Sequence, residues 1–180
     1  TNDEIQATAR ELSPLLTEFS NDILLNAELF EKVKTVHDSL DKSSLSAEAQ
    51  TLLDKTYNGF VRNGALLNDE QKEQLRKIDV ELSQLSLEFG EHVLAETNKY
   101  ELVLDSEDDL EGLPAYAIEQ AAATAEEKGY DNKWVITLEY PSYVPFITYS
   151  AKRTLREQLS KAFASKAFKG DDLDNQEIVK

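Results

Sequence analysis

The stretch NDEQKEQLRKIDVELSQLSLEFGEHVLAETN (68–98) decides the fold class. Asn68 and Gln71 stand three apart, an Asn variant of the capping box, so a helix starts here. Leu75, Ile78, Leu82, Leu85 and Phe89 recur at steps of three and four and make one apolar stripe. Val80, Leu87 and Leu94 recur every seven residues on a second. Two stripes predict burial on two sides, hence a helix inside a bundle rather than on its surface. The pattern carries to about Asn98, with Gly90 as a weak point worth about 1 kcal/mol relative to Ala.

Working back towards the start, the same period continues. Ile5, Ala9, Leu12, Leu16 and Phe19 form a single stripe at coiled-coil-like spacing, with Pro14 as a place for a kink or break. Asn26 caps a second helix carrying Leu29, Phe30, Val33, Val36 and Leu40. Ser43, Ser44 and Ser46 make a turn before a third, with Leu52, Leu53, Tyr57, Phe60 and Val61, which Asn63-Gly64 ends.

Beyond Asn98 the period changes. Tyr100–Leu104 is short, apolar and followed by the acidic run 105–109, the mark of a strand. Pro114 opens an Ala-rich helix that Gly129 closes. Trp134, Ile136, Leu138 and Tyr140 then alternate with Val135, Thr137 and Glu139, the period of a second strand. Strand, helix, strand in about forty residues predicts a parallel pair joined by a crossover helix. Residues 141–150 read two ways: β-branched content favours a strand, while Pro141 and Pro145 fit around a helix start. Leu155, Leu159, Ala162 and Phe163 mark a last full helix ending near Gly170. The expected fold is therefore mainly α, a helical bundle with a small two-stranded sheet, its strands near 100–105 and 133–140. With no internal repeat, 1–180 reads as a single lobe: a helical bundle over 1–98, strand-helix-strand over 99–140 and helix over 141–170. Residues 171–180, from the cap candidate Asn175, read as the start of a truncated helix. Together with the absence of Met, that predicts a fragment of a longer chain.

Charge and composition exclude several functions. Lys and Arg number 19 against 35 Asp and Glu, a net charge of −16. Nucleic-acid affinity rests largely on Lys and Arg displacing counterions, so nucleic acid is not an expected partner. Residues 150–170 are locally basic, with Lys152, Arg153, Arg156, Lys161, Lys166 and Lys169 against Glu157. Beside so acidic a body this reads as a solvated, internally neutralised face. There is no Cys, hence no disulfide, thiolate metal site or cysteine nucleophile. No uninterrupted apolar run approaches the roughly 18 residues of a membrane span, so no membrane is expected as a partner.

Chemistry-bearing constellations are few. His37 and His92 lie 55 positions apart with no second His a turn away, so neither forms a zinc motif, and His92 reads as a core or edge histidine. The acidic clusters Asp105/Glu107/Asp108/Asp109 and Asp171/Asp172/Asp174 lack the pattern of a calcium loop and read as solvated loop charges. Tyr140, Tyr143 and Tyr149, with Phe146 and Trp134, are compatible with a peptide-binding wall or with packing of strands on helices, the plainer reading. No catalytic, cofactor-binding or metal-binding residue is assigned.

Four stretches carry a family resemblance: EFGEHVLAETNKYELVLD (88–105), DLEGLPAYAIEQAAATAEEKG (109–129), KWVITLEYPSYVPFITYS (133–150) and KRTLREQLSKAF (152–163). With NDILLNAELFEKVKTVHDSL (21–40), they resemble the N-terminal region of the thimet oligopeptidase family, and more narrowly its bacterial members, oligopeptidase A and peptidyl-dipeptidase. The Pro-Ser-Tyr run followed by Leu155-Arg156-Glu157 is the most specific part. The resemblance implies a helix-rich zinc metallopeptidase with a channel between two lobes. Its zinc and general base come from a His-Glu-x-x-His helix that this sequence does not contain. It implies that this segment is a non-catalytic lobe walling the channel, with short peptides and a C-terminal catalytic region as partners. Zinc would belong to the longer protein and not to this segment. The expected compartment is the cytoplasm, with the periplasm left open. It also tilts 141–150 towards helix. The competing reading, from stripes and acidity alone, is a non-enzymatic helical interaction domain.

Overall fold

The computed structural model describes residues 2–39, 41 and 44–180. Leu40 and Ser43, assigned above to the second helix and the following turn, lie outside the described residues. Two compact units emerge, Thr1–Leu87 and Glu88–Lys180, and the division falls within one helix.

The first unit holds α1 (Asp3–Leu24), α2 (Ala27–Ser39), α3 (Ala47–Arg62) and most of α4 (Asp69–Lys99). Their starts are written in short polar side chains. Asn2 accepts the Ile5 N–H at 2.9 Å, Asn26 that of Leu29 at 2.8 Å, and Ser46 that of Ala49 at 3.3 Å. The box before α4 is reciprocal: Gln71 N–H donates to Asn68 Oδ1 at 2.9 Å, and Asn68 N–H to Gln71 Oε1 at 3.2 Å. Helix α1 runs unbroken through Pro14. The core here is small: Phe30 of α2, Phe60 of α3 and Ala65, joined by Val33, Tyr57 and Val61.

Helix α4 forms where expected, but its burial does not follow its stripes. Ile78, Leu82 and Phe89 are 51, 54 and 41% exposed, so the richer stripe is not buried. The inward side is instead polar in its first turns. Lys72, nearly buried, donates from Nζ to the Leu25 carbonyl at 3.0 Å, and Arg76 pairs with Asp22 at 2.8 Å. A stripe states which face has apolar surface to hide; it does not state that the described residues supply the cover.

The second unit contains β1 (Leu102–Leu104), α5 (Ala115–Glu127), β2 (Trp134–Ile136), α6 (Tyr140–Tyr149), α7 (Arg153–Ala164) and the single turn α8 (Gln176–Val179). The two strands form the sheet expected near 100–105 and 133–140. Their orientation corrects the parallel reading. They are antiparallel, with Leu102 opposite Ile136, Val103 opposite Val135 and Leu104 opposite Trp134. The end of β1 thus lies beside the start of β2, so residues 105–133 must leave and return to one point. Residues 105–114, with a 3₁₀ turn at Glu107–Leu110, lead away, and α5, about 20 Å long at 1.5 Å per residue, leads back. Counting strand, helix and strand omits that outward leg.

Residues 141–150 are helical. Pro141 sits in the first turn of α6, where its missing N–H costs nothing, and Pro145 follows, buried. The Ser142 and Tyr143 N–H groups both donate to the Glu139 carbonyl, at 3.0 and 2.8 Å. Leu104, Leu138, Phe146 and Leu159, each at most 1% exposed, centre a core that also takes Leu102 and Ile136.

One glycine holds this packing. Gly112 has φ +88°, and a Cβ there would lie 2.4 Å from the Tyr149 carbonyl oxygen, where the chain is stitched by the Ala151 N–H to the Glu111 carbonyl at 2.8 Å. Gly112→Ala therefore combines a left-handed backbone with a backbone clash, and should cost about 2 kcal/mol or more. Gly129→Ala, at φ +81° in open space, should cost only about 1–2 kcal/mol. Urea unfolding followed by the single tryptophan, Trp134, checks this; equal midpoints for the two variants would refute it.

Candidate functional site

The chemistry-bearing residues named from sequence are of three kinds: the two histidines, the two acidic clusters and the aromatic run. His37 of α2 stacks on Tyr57 at 4.0 Å between ring centres, and its nitrogens face Asp38 at 2.9 Å and Asp54 at 3.4 Å. His92 of α4 packs as an edge histidine. Its Nδ1 lies 2.8 Å from Asn175 Oδ1, and its Nε2 lies 4.0 Å from Glu88. Asn175 does not cap α8 with its side chain. Its Nδ2 donates to the Phe89 carbonyl at 3.2 Å, and its own N–H to the Ala167 carbonyl at 2.8 Å, so it ties the last residues to α4. Nearby, the Glu96 carboxylate is 2% exposed, bonded by Lys169 and 3.8 Å from Lys99.

The acidic run 105–109 is partly neutralised, Asp105 pairing with Lys133 at 2.6 Å. Beside it, Glu101 accepts from Lys128 at 2.7 Å and from the Tyr130 hydroxyl at 2.8 Å. The Lys128 and Tyr130 bonds hold the Glu101 carboxyl below its ordinary range, and the same carboxylate raises the Tyr130 phenol. In the cluster 171–174, Asp174 accepts the Gly170 and Gln176 N–H groups, which lower its carboxyl in the same way. These are loop-closing contacts. Among the described residues, no group of three or more His, Asp or Glu is placed to hold a metal ion.

The third kind, the aromatic run on α6, makes a surface with α7. The sequence grouped Tyr140, Tyr143, Tyr149, Phe146 and Trp134, and the fold divides them. Phe146 is core, and Trp134 and Tyr143 pack against the core. Tyr140 is 69% exposed and Tyr149 53%. Phe163 of α7, assigned from sequence only to a helix stripe, is the organiser that grouping missed. Its ring stacks on Tyr143 at 4.1 Å, meets Tyr140 edge-on at 5.8 Å, and carries the Lys166 ammonium 4.0 Å from its centre. Partial burial lowers the Lys166 ammonium below its ordinary value. The rest of the basic stretch is largely answered internally: Lys152 meets Glu111 at 3.2 Å, Lys161 meets Glu157 at 2.6 Å, Lys169 bonds Glu96, and Arg156 donates to the Ser150 carbonyl. What remains presented is an aromatic face carrying the Lys166 ammonium, with Arg153 exposed at the start of α7. Such a face can hold an extended chain by stacking and by a single charged contact.

No protein-family model matches the chain. It is similar to the organellar (chloroplastic/mitochondrial) oligopeptidase A of Arabidopsis thaliana, 35% identical over 98% of this chain and 23% of that protein. It is similar to a probable cytosolic oligopeptidase A of the same plant, 34% identical over 98% of this chain and 26% of that protein. It is also similar to the dipeptidyl carboxypeptidase of Escherichia coli, 34% identical over 99% of this chain and 26% of that protein. The chain thus spans about a quarter of the length of the curated relatives it matches. These homologues bear out the peptidase resemblance read from the stretches between 21 and 163.

Proposed function

We propose that these 180 residues form a non-catalytic N-terminal lobe of a zinc-dependent peptidase that cleaves short peptides, of oligopeptidase or peptidyl-dipeptidase type. One observation carries this reading: nearly the whole chain is similar to oligopeptidases A and to a dipeptidyl carboxypeptidase, over about a quarter of their length. The zinc would be held by residues of the remaining length, since no described cluster here suits a metal. Its part would be positioning, which holds a substrate in line and excludes folded proteins. Its partners would then be short peptides and the C-terminal catalytic region, with neither nucleic acid nor membrane among them. A cytoplasmic location is supported by the probable cytosolic relative, although another relative is named for organelles. No described helix is long and apolar enough to cross a membrane.

The face of Tyr140, Phe163 and Lys166 is the part of this lobe best suited to line a peptide channel. In a longer, active protein, Tyr140→Ala should raise KM about two- to tenfold, the worth of one aromatic contact, and leave kcat near its original value. An unchanged KM would remove this face from the channel.

The purified 180-residue chain should not cleave fluorogenic short peptides, while the longer protein should cleave them and lose activity to a chelator. Cleavage by the isolated chain that survives chelation would overturn the division of labour. A coding sequence that stops after Lys180, or continues without a His-Glu-x-x-His helix, would overturn the peptidase assignment.

A further inference from the structure

The two faces of the Phe163 ring are taken by different chemistry. Tyr143 stacks at 4.1 Å between ring centres, and the Lys166 ammonium stands over the ring at 4.0 Å from the same centre. Two groups that close to one centre cannot share a face, so Lys166 covers the side that Tyr143 leaves open. Tyr140 meets the ring edge at 5.8 Å, and Tyr140 itself is 69% exposed. The ammonium is therefore held against apolar surface rather than free on a solvated stem, and partial burial disfavours its charge. Lys152, Lys161 and Lys169 each reach a carboxylate, at Glu111, Glu157 and Glu96; Lys166 reaches none among the described residues.

Charge narrows what this face takes. A cation partly stripped of water and lacking a counter-ion gains more from an arriving carboxylate than a fully hydrated lysine does. The chain as a whole carries −16, so it has no diffuse attraction for anions, and a carboxylate it holds must be held at a local cation. Arg153, likewise without a partner among the described residues, stands at the opposite end of α7, about 15 Å along the helix from Phe163. Building on the reading of this face as channel lining, we propose that it recognises a carboxylate carried beside an aromatic side chain on a short peptide. The Lys166 ammonium takes the carboxylate, and Tyr140 stacks on the aromatic group. A free C-terminal carboxylate and an Asp or Glu side chain both supply this chemistry.

The test uses the longer, active protein and three fluorogenic peptides that differ only around one aromatic residue. The first ends on it with a free carboxylate, the second ends on it as the amide, and the third is that amide with Glu before it. Lys166→Met keeps an apolar stem and removes the charge. It should raise KM for a carboxylate peptide about two- to fivefold more than for the plain amide, the worth of one partly exposed ion pair. A loss for the first peptide assigns the terminal carboxylate, and a loss for the third assigns the side chain. Lys166→Arg should keep the preference, because charge and ring contact both survive. Arg153→Met should leave it unchanged. Equal effects of Lys166→Met on all three peptides, no effect on any, or the same preference lost in Arg153→Met would each overturn the proposal. So would a lowered melting temperature in Lys166→Met with all three peptides affected alike, since the face would then be covered by the rest of the chain or by a second copy. The channel reading fails by a different result, a plain amide whose KM Tyr140→Ala leaves unchanged. If Tyr140→Ala raises that KM while Lys166→Met discriminates nothing, the face lines the channel and only the carboxylate is lost from it.

Discussion

Phe146→Ala should lower the stability of the unit containing residues 88–180 by about 3–5 kcal/mol, the cost of emptying a large buried site. Phe146 is 1% exposed and sits in one core with Leu104, Leu138 and Leu159. It lies on α6 directly after Pro145, with Pro141 one turn earlier, and the fixed φ of both prolines leaves the helix little freedom to collapse into the void. The measurement is urea unfolding followed by Trp134, which packs against the same core. With an m-value of about 2 kcal/mol/M, the midpoint should fall by about 2 M. Tyr140→Ala, six positions away on the same helix and 69% exposed, should move it by no more than about 0.5 kcal/mol. If the two substitutions cost the same, the division of the aromatic run into core and surface is wrong.

Lys169→Ala should be comparably severe for a different reason. Glu96 lies almost wholly out of solvent, and Lys169 is its bonded cation, with Lys99 farther off at 3.8 Å. Removing Lys169 leaves a buried carboxylate short of its partner, an imbalance that costs about 3–5 kcal/mol. Replacing both, as Glu96→Leu with Lys169→Met, removes the charge that needed an answer and should restore most of the loss. Additive losses in the double variant would show that the two residues act independently. Because Glu96 is on α4 and Lys169 lies beyond α7, hydrogen exchange in residues 165–180 should rise in Lys169→Ala. Unchanged exchange there would mean that Asn175, bonded to His92 and the Phe89 carbonyl, holds the segment alone.

Local features were legible without the fold. The reciprocal Asn68–Gln71 box, the Asn26 cap and the Asn63-Gly64 stop each involve groups within a few residues of one another; Ser46, read as part of a turn, proved to cap α3 in the same local way. Their energetics are settled before any distant segment arrives. Period alone separated the helices from the two short strands, and string resemblance carried the peptidase reading. The helix over 140–149 lay at the boundary: β-branched residues argued one way and proline placement the other, and the geometry of the first turn decided it.

Tertiary structure decided what depends on partners far along the chain. The direction of β2 followed from the outward leg 105–114, which no strand-and-helix pattern displays. The aromatic face on α6 became recognisable only when α7 brought Phe163 between Tyr140 and Tyr143. Asn175 read as a cap because its sequence neighbours were helical; His92, 83 positions earlier, took its side chain instead. Above all, periodicity showed that α1 and α4 each own an apolar stripe, while only the fold showed Leu16 and Ile78 on the solvent side. A stripe is a property of one helix, but its burial is a property of two surfaces, and a sequence specifies the first without specifying the second.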